Sequence, residues 1–480
     1  MKKNIVLVLF FLFSMSITSL SYAADLLQVY KQALFSDPVY QQAIAQELAT
    51  GENVPISRSY LLPNLGFQAV PSILKATGSG PASTVDDTLR ERGYTYSLTL
   101  TQTIFDVAQT ANLSQQKATA KQALATLNAA SQDLMIRVAK AYFQVLQDED
   151  FLRASGSAKV AFKQQLDQAT QQYKVGLKTI TDVYTAEASY QGSVADYIAS
   201  ETNLKDDQEN LRAITGVLYR SLAKLSEQFP LISPRPKNIN AWIMTAARQN
   251  WQIKANQYAV VASKENIRQQ FAGHMPTVNV EGQYLVDFVN DMTRNNLSSE
   301  SAIDGSLFHP HGTGQTHQSE VSLNVNFPIY EGGLVVAQTR QAQDQYQLAV
   351  QTLEQQIRST MTSTRQSYLG ILAGISKLHA DKETIKAAIS SLEGMKEGYK
   401  VGTEILVNVL NQQQQVLDDE KQYALDRYAY VNNLLALKEA AGTLSPDDLA
   451  AINAWLRGGE GASSDHKLHS QSSKQRVYKV

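Results

Sequence analysis

"YKVGLKTITDV" occupies residues 173–183, and 226 positions later "YKVGTEILVNV" occupies 399–409. Each copy closes a long stretch without proline, Asp106 to Tyr173 in the first case and Glu331 to Tyr399 in the second. Tyr173, Lys174, Val175, Gly176, Val183, Leu211 and Gly216 match Tyr399, Lys400, Val401, Gly402, Val409, Leu437 and Gly442 at constant offset. Upstream, "SLTLTQTIFD" at 97–106 aligns with "SLNVNFPIYE" at 322–331. "ENV" at 52–54 followed by "LLPNLGF" at 61–67 aligns with "ENI" at 265–267 followed by "HMPTVNV" at 274–280. Three matches in register imply a duplicated unit: helix, proline, strand, loop, strand, long helix, Val-Gly turn, long helix.

The long stretches read as helices. Leu113, Ala120, Leu127, Leu134 and Ala141 recur every seven residues, interleaved with Leu124, Ser131, Val138, Val145 and Leu152. That is a coiled-coil pattern. At ~1.5 Å per residue such a helix extends roughly 100 Å, far beyond an ordinary globular helix. Gly156 interrupts the first, and Gly370, Gly374, Gly394 and Gly398 are expected to loosen the second. Gly176 and Gly402 suit left-handed helix ends. Thr179 or Thr181, and in the second copy Thr403, can cap the helix that follows.

The strands come in pairs. In "YTYSLTLTQTI" at 94–104, Tyr94, Tyr96, Leu98 and Leu100 alternate with threonine and serine. "VNVEGQYLVDF" at 278–288 and "EVSLNVNF" at 320–327 alternate likewise, with Glu281, Asp287 and Glu320 in the polar series. The remaining strand, from Asn64 to Ile73, is less regular. A half-buried antiparallel sheet would show this pattern. Runs of about 10–11 residues with carboxylates on the polar side instead fit tilted membrane strands facing a lumen. Four strands cannot close a barrel, and an open edge in lipid leaves backbone groups unpaired. Several chains must then share one barrel, eight strands for a dimer or twelve for a trimer.

Composition bounds the rest. Lys2 and Lys3, an apolar run from Ile5 to Phe13 and "SYA" at 21–23 read as an export signal cut after Ala23. Removing those two lysines takes the net charge from −2 to about −4, too mild to suggest nucleic acid. The chain has no cysteine, so neither disulfides nor a lipid-modified cysteine hold it. After the signal no run of 18 apolar residues follows, so no transmembrane helix is expected. His309, His311 and His317 crowd one loop and could bind zinc or copper, although a solvent loop explains them without a metal. His274, His379, His466 and His469 are isolated. No phosphate-binding loop or nucleophile elbow occurs. No enzyme and no cofactor are expected.

At this level the chain resembles the outer membrane factor family, the exit ducts of Gram-negative efflux pumps and type I secretion systems. The resemblance rests on "LLQVYKQAL" at 26–34, "YLLPNLGF" at 60–67, "LTQTIFD" at 100–106, "AYFQVL" at 141–146, "VGLKTITDV" at 175–183, "LRAITG" at 211–216, "PIYEGG" at 328–333, "GYKVGT" at 398–403 and "AAGTLSPDDL" at 440–449. It runs in order from about residue 25 to 455. It implies an α+β membrane protein: a homotrimer sharing a 12-stranded β-barrel, four strands per chain, that continues into a long α-helical coiled-coil tunnel through the periplasm. Its partners would be outer-membrane lipid, a periplasmic membrane-fusion adaptor and an inner-membrane transporter of RND, ABC or MFS type. Its duty would be passive export of drugs or toxic small molecules, secreted proteins, or both. A non-conducting, periplasm-spanning structural coiled coil stands as the alternative.

The expected organisation is a signal at 1–23, a first repeat at 24–216, an equatorial linker at 217–241, a second repeat at 242–442, an equatorial segment at 443–457 and a disordered tail at 458–480. The resemblance carries Val175, Gly176, Leu177, Val401, Gly402 and Thr403 over as adaptor-docking tips, and Glu281, Asp287 and Glu320 face the barrel lumen. At the periplasmic aperture the family's two aspartates are Asn408 and Asn411 here, so a ring of amides replaces carboxylates and attraction for cations should weaken. The family's arginine is Glu404, whereas its aromatic and acidic partners remain as Tyr399 and Asp182. Glu404 near Asp182 would repel, leaving Lys178 as the expected cation of the closed aperture.

Overall fold

A computed structural model describes residues 23–78, 87–295 and 314–457. The export signal, the 458–480 tail, His309, His311, His466 and His469 lie outside them. In chain order the elements are α1 (Leu26–Ser36), α2 (Pro38–Gly51), α3 (Asn53–Ser59), β1 (Asn64–Gly78), β2 (Asp87–Phe105), α4 (Val107–Lys174) and α5 (Ile180–Thr215). There follow β3 (Lys224–Leu225), α6 (Ile239–Gln249), α7 (Trp251–Phe271), β4 (Thr277–Asn295) and β5 (Gly314–Asn326). The chain continues through α8 (Leu334–Val401), α9 (Leu406–Ala440), α10 (Pro446–Asn453) and β6 (Leu456–Arg457). No helix among the described residues is long and apolar enough to cross a membrane.

The chain divides into two compact units. One is Gln46–Leu124 with Ala255–Glu354, and it holds the principal sheet. Its order is β1-β2-β4-β5, antiparallel throughout. The two repeats thus meet at β2 and β4, and β1 and β5 are left as edges. The strands run 15, 19, 19 and 13 residues, longer than the 10–11 expected. Strict alternation marks only the stretch with contrasting faces, whereas backbone pairing continues past it toward the hairpin ends, where apolar and polar residues no longer alternate, as at Ile73 and Leu74. Pro71 is accommodated because β1 is an edge strand.

The other unit comprises residues up to Ala45, Ala125–Lys254 and Gln355 onward. Its larger core joins Leu26, Val29 and Ala33 of α1 with Leu134, Val138, Tyr142 and Val145 of α4, and with Ile371, Tyr430 and Leu435 of α8 and α9. Of the heptad series Leu134, Val138 and Val145 are therefore buried, whereas Leu124 is half exposed. β3 pairs with β6, Ser226 N–H donates to the Trp455 carbonyl at 2.9 Å, and the Phe229 and Trp455 rings lie 6.2 Å apart. Arg137 of α4 clamps Asp37, between α1 and α2, with two parallel bonds of 2.8 and 2.9 Å. This geometry holds the Asp37 carboxyl below its usual range.

The glycines of α8 do not simply loosen it. A Cβ on Gly370 would meet Asn433 Nδ2 at 2.9 Å, and one on Gly374 would meet Tyr430 Cβ at 3.3 Å. Both are close-approach positions for α9; Gly394 alone of the four has open space beside it.

Candidate functional site

The sheet sorts its side chains by parity. On one face the ladder brings Thr95 opposite Asp287, Thr101 opposite Glu281 and Gln283 opposite Glu320. Thr95 Oγ1 donates to Asp287 Oδ1 at 3.0 Å. All three predicted lumen carboxylates therefore share one face with threonines and serines. The opposite face carries Leu65, Phe67, Tyr96, Leu98, Leu100, Val321, Leu323 and Val325, all left exposed by the single chain. Val321 is 82% and Phe67 is 70% exposed, which no water-facing sheet would sustain across four strands. A polar face with carboxylates, an uncovered apolar face and two free edges together describe a section of barrel wall. On the apolar face, Tyr284 OH and His317 Nδ1 lie 2.9 Å apart. Among the described residues no His/Cys/Asp/Glu group could hold a metal.

The two Val-Gly turns lie in the other unit, and each ends a 68-residue helix. Gly176 and Gly402 take φ of 75° and 86°, the left-handed region glycine reaches without a Cβ clash. In the first turn Thr179 caps α5 and forms a reciprocal box with Asp182, as expected of Thr179. The second differs: Thr403 Oγ1 donates back to the Gly398 carbonyl at 3.1 Å, and Ile405, with no capping side chain, precedes α9. Thr403 sits two residues too early to reach the first amides of α9, so its expected capping role is corrected. Around these turns Val175, Leu177, Val401 and Ile405 are 62–75% exposed. Each turn thus presents apolar side chains beside a bare glycine.

Behind the tips a small core of Ala169, Ala186, Leu392, Leu406, Val409 and Leu410 buries Tyr399, which is 2% exposed. Burial, with Asp182 adding repulsion, raises the Tyr399 phenol above its usual range, so it stays a donor. Its OH donates to Gln172 Oε1 at 3.0 Å, joining α8 to α4. Lys178 Nζ lies over the same ring, 4.3 Å from its centroid. Gln172 carries no sequence signal, because the matching position of the repeat is Gly398.

Within the single chain Asp182 and Glu404 each have a local partner. Asp182 Oδ2 accepts from Thr179 N and Oγ1 at 3.2 and 3.1 Å, within its own turn. Glu404 Oε2 accepts from Asn408 Nδ2 at 2.9 Å. Lys178 reaches the Tyr399 ring instead of a carboxylate, because the capping box has already turned Asp182 toward the backbone. Asn408 and Asn411, one turn apart, are both exposed on α9.

The outer membrane efflux protein family matches residues 29–217 and 242–443. The chain is similar to the outer membrane protein TolC of Salmonella enteritidis, 35% identical over 442 residues that span 92% of this chain and 86% of the relative. It is also similar to the proteases secretion protein PrtF of Dickeya chrysanthemi, 26% identical over 441 residues, 91% of this chain and 92% of that one. Its fold matches the Campylobacter jejuni CmeC outer membrane channel with a TM-score of 0.70 at 15% identity, covering 90% of this chain and 89% of that one.

Proposed function

The chain belongs to the outer membrane efflux protein family, and from that premise we propose how its own residues gate and dock an export duct. It is an outer-membrane channel of Gram-negative type for efflux and secretion, built as a trimer whose three four-stranded sheets make one 12-stranded barrel above a periplasmic tunnel. Channels of this kind work with a periplasmic adaptor and an inner-membrane transporter. The observation that carries the reading is the sheet itself, with carboxylates on one face, bare apolar side chains on the other and two unpaired edges. A non-conducting stalk has no use for that alternation.

In this proposal Val175, Gly176, Leu177, Val401, Gly402 and Thr403 receive the hairpin ends of the adaptor. The exposed valines and leucine supply apolar area, and the glycines let a partner backbone come close. The aperture is held by an internal latch: Tyr399, fixed by Gln172 and covered by Lys178, ties the α8–α9 hairpin to the α4–α5 hairpin. Asp182 and Glu404 contribute by shaping their own turns. Asn408 and Asn411 line the constriction, three amides at each position and six per trimer, where the family has six carboxylates. The transporter is of RND, ABC or MFS type; similarity to a protein named for protease secretion supports protein cargo beside small molecules.

Ethidium accumulation in cells lacking the gene, compared with cells carrying it again, tests the duct. Higher accumulation that the restored gene reverses establishes drug export. Equal accumulation together with an unchanged set of proteins in the medium would overturn the proposal.

A further inference from the structure

The barrel's outer wall carries basic residues that conduction does not use. On β1 the apolar parity of Leu65, Phe67, Ala69 and Ile73 continues to Lys75, and on β2 the parity of Leu98, Tyr96 and Tyr94 continues to Arg92. Ile73 stands opposite Arg92 and Lys75 opposite Arg90, so Lys75 and Arg92 are diagonal neighbours. Such neighbours lie about 7–8 Å apart, within reach of one ligand for two long side chains. Both are exposed. They sit toward the β1–β2 hairpin, at the end away from the helices that β1 and β2 adjoin at Asn64 and Phe105.

Below them on the same face lies an aromatic cluster. The Phe67 and Tyr96 rings stack at 6.3 Å, Tyr96 and Phe288 meet edge-on at 5.8 Å, and Tyr94 and Tyr96 are 6.5 Å apart. Rings of this kind mark the boundary between hydrocarbon and headgroups. Four residues separate Tyr96 from Arg92, about 14 Å along the strand. The cations therefore stand at headgroup height, where charge on a lipid-facing wall is tolerated. The ladder shifts register between Arg92 and Gly93, and a Cβ at Gly93 would fall 2.4 Å from the Phe288 carbonyl oxygen. Strand bulges of this sort re-aim neighbouring side chains, and only glycine permits this one.

We propose that Lys75 and Arg92 form a binding site on the outer wall for the phosphate-bearing headgroup of an outer-leaflet lipid, its acyl chains lying down the aromatic and aliphatic face below. Arginine supplies a fork that matches phosphate geometry, and lysine supplies a mobile point charge. One site per protomer places three around the barrel.

The test uses the intact trimer in detergent with bisphosphorylated lipid A as probe, and retained lipid is counted by native mass spectrometry. Each surface cation is worth about five-fold in affinity for an anionic headgroup, so Lys75→Gln with Arg92→Gln should weaken binding roughly 25-fold. Dephosphorylated lipid A should bind wild type as weakly as the double variant binds the phosphorylated probe. Equal affinity of the wild-type and double-variant trimers, or equal retention of the dephosphorylated probe, would overturn the site.

Discussion

At the scale of single residues, four side chains decide behaviour that the fold leaves open. Tyr399 makes two separable contacts, a hydrogen bond to Gln172 and a ring beneath Lys178. Tyr399→Phe should remove only the first, of order 1 kcal/mol, and Tyr399→Ala both. Open probability in planar bilayers should therefore rise modestly for phenylalanine and strongly for alanine. Asn408 and Asn411 are neutral, so a trivalent cation should block wild type weakly. Asn408→Asp with Asn411→Asp should restore block at far lower concentration, and strong block of wild type would refute the amide ring. Asp148 is a third case: it is 4% exposed, Oδ2 has no hydrogen-bond partner, and burial with the neighbouring Asp207 pushes its carboxyl up to about 7. Because an unfolded aspartate titrates near ~4, the fold holds a proton that the unfolded chain has released between roughly pH 4 and 7. Its contribution to stability is thus present at acid pH and lost as pH rises through 7. Asp148→Asn should flatten that dependence and raise Tm at pH 8 by a few degrees.

At the scale of elements, the two hairpins of the repeat are alike in backbone and unlike in capping. Both turns use a left-handed glycine, but only α5 begins with a capping box, Thr179 with Asp182. Thr179→Val should cost about 1 kcal/mol at that helix start, seen as faster hydrogen exchange in the first turn of α5. The first turn of α9, which follows Ile405, should be unchanged. Duplication preserved what the chain direction needs, a glycine that ends one helix, and let the cap drift where packing of Leu406, Val409 and Leu410 already anchors the next.

For the whole molecule, assembly follows from the open sheet. β1 and β5 have backbone groups that only neighbouring protomers can satisfy in lipid. The lipid face must stay apolar, whereas the lumen face need not. Leu323→Arg should cost ~2–4 kcal/mol per protomer if it lies near mid-bilayer and deplete the heat-dissociable trimer from the outer membrane. Glu281→Gln should assemble normally and alter ion selectivity instead. Loss of trimer in both variants would contradict the assignment of faces.

The sequence alone determined the duplication, the two long helices, the four alternating strands and the glycine turns. All are local: the periods of helix and strand, and the conformational freedom of Gly176 and Gly402, are written within a few residues. That Glu281, Asp287 and Glu320 share one face of the sheet was legible for the same reason, since parity along a strand assigns a face. Strand extent was less legible, because backbone pairing persists where alternation fades. What only the tertiary structure decided are contacts between residues far apart in the chain. Joining of the repeats through β2 and β4, Tyr399 finding Gln172, Lys178 choosing a ring over a carboxylate, and the close approaches at Gly370 and Gly374 depend on how neighbouring elements are set against one another. That setting comes from summed packing of many side chains, so no short motif encodes it.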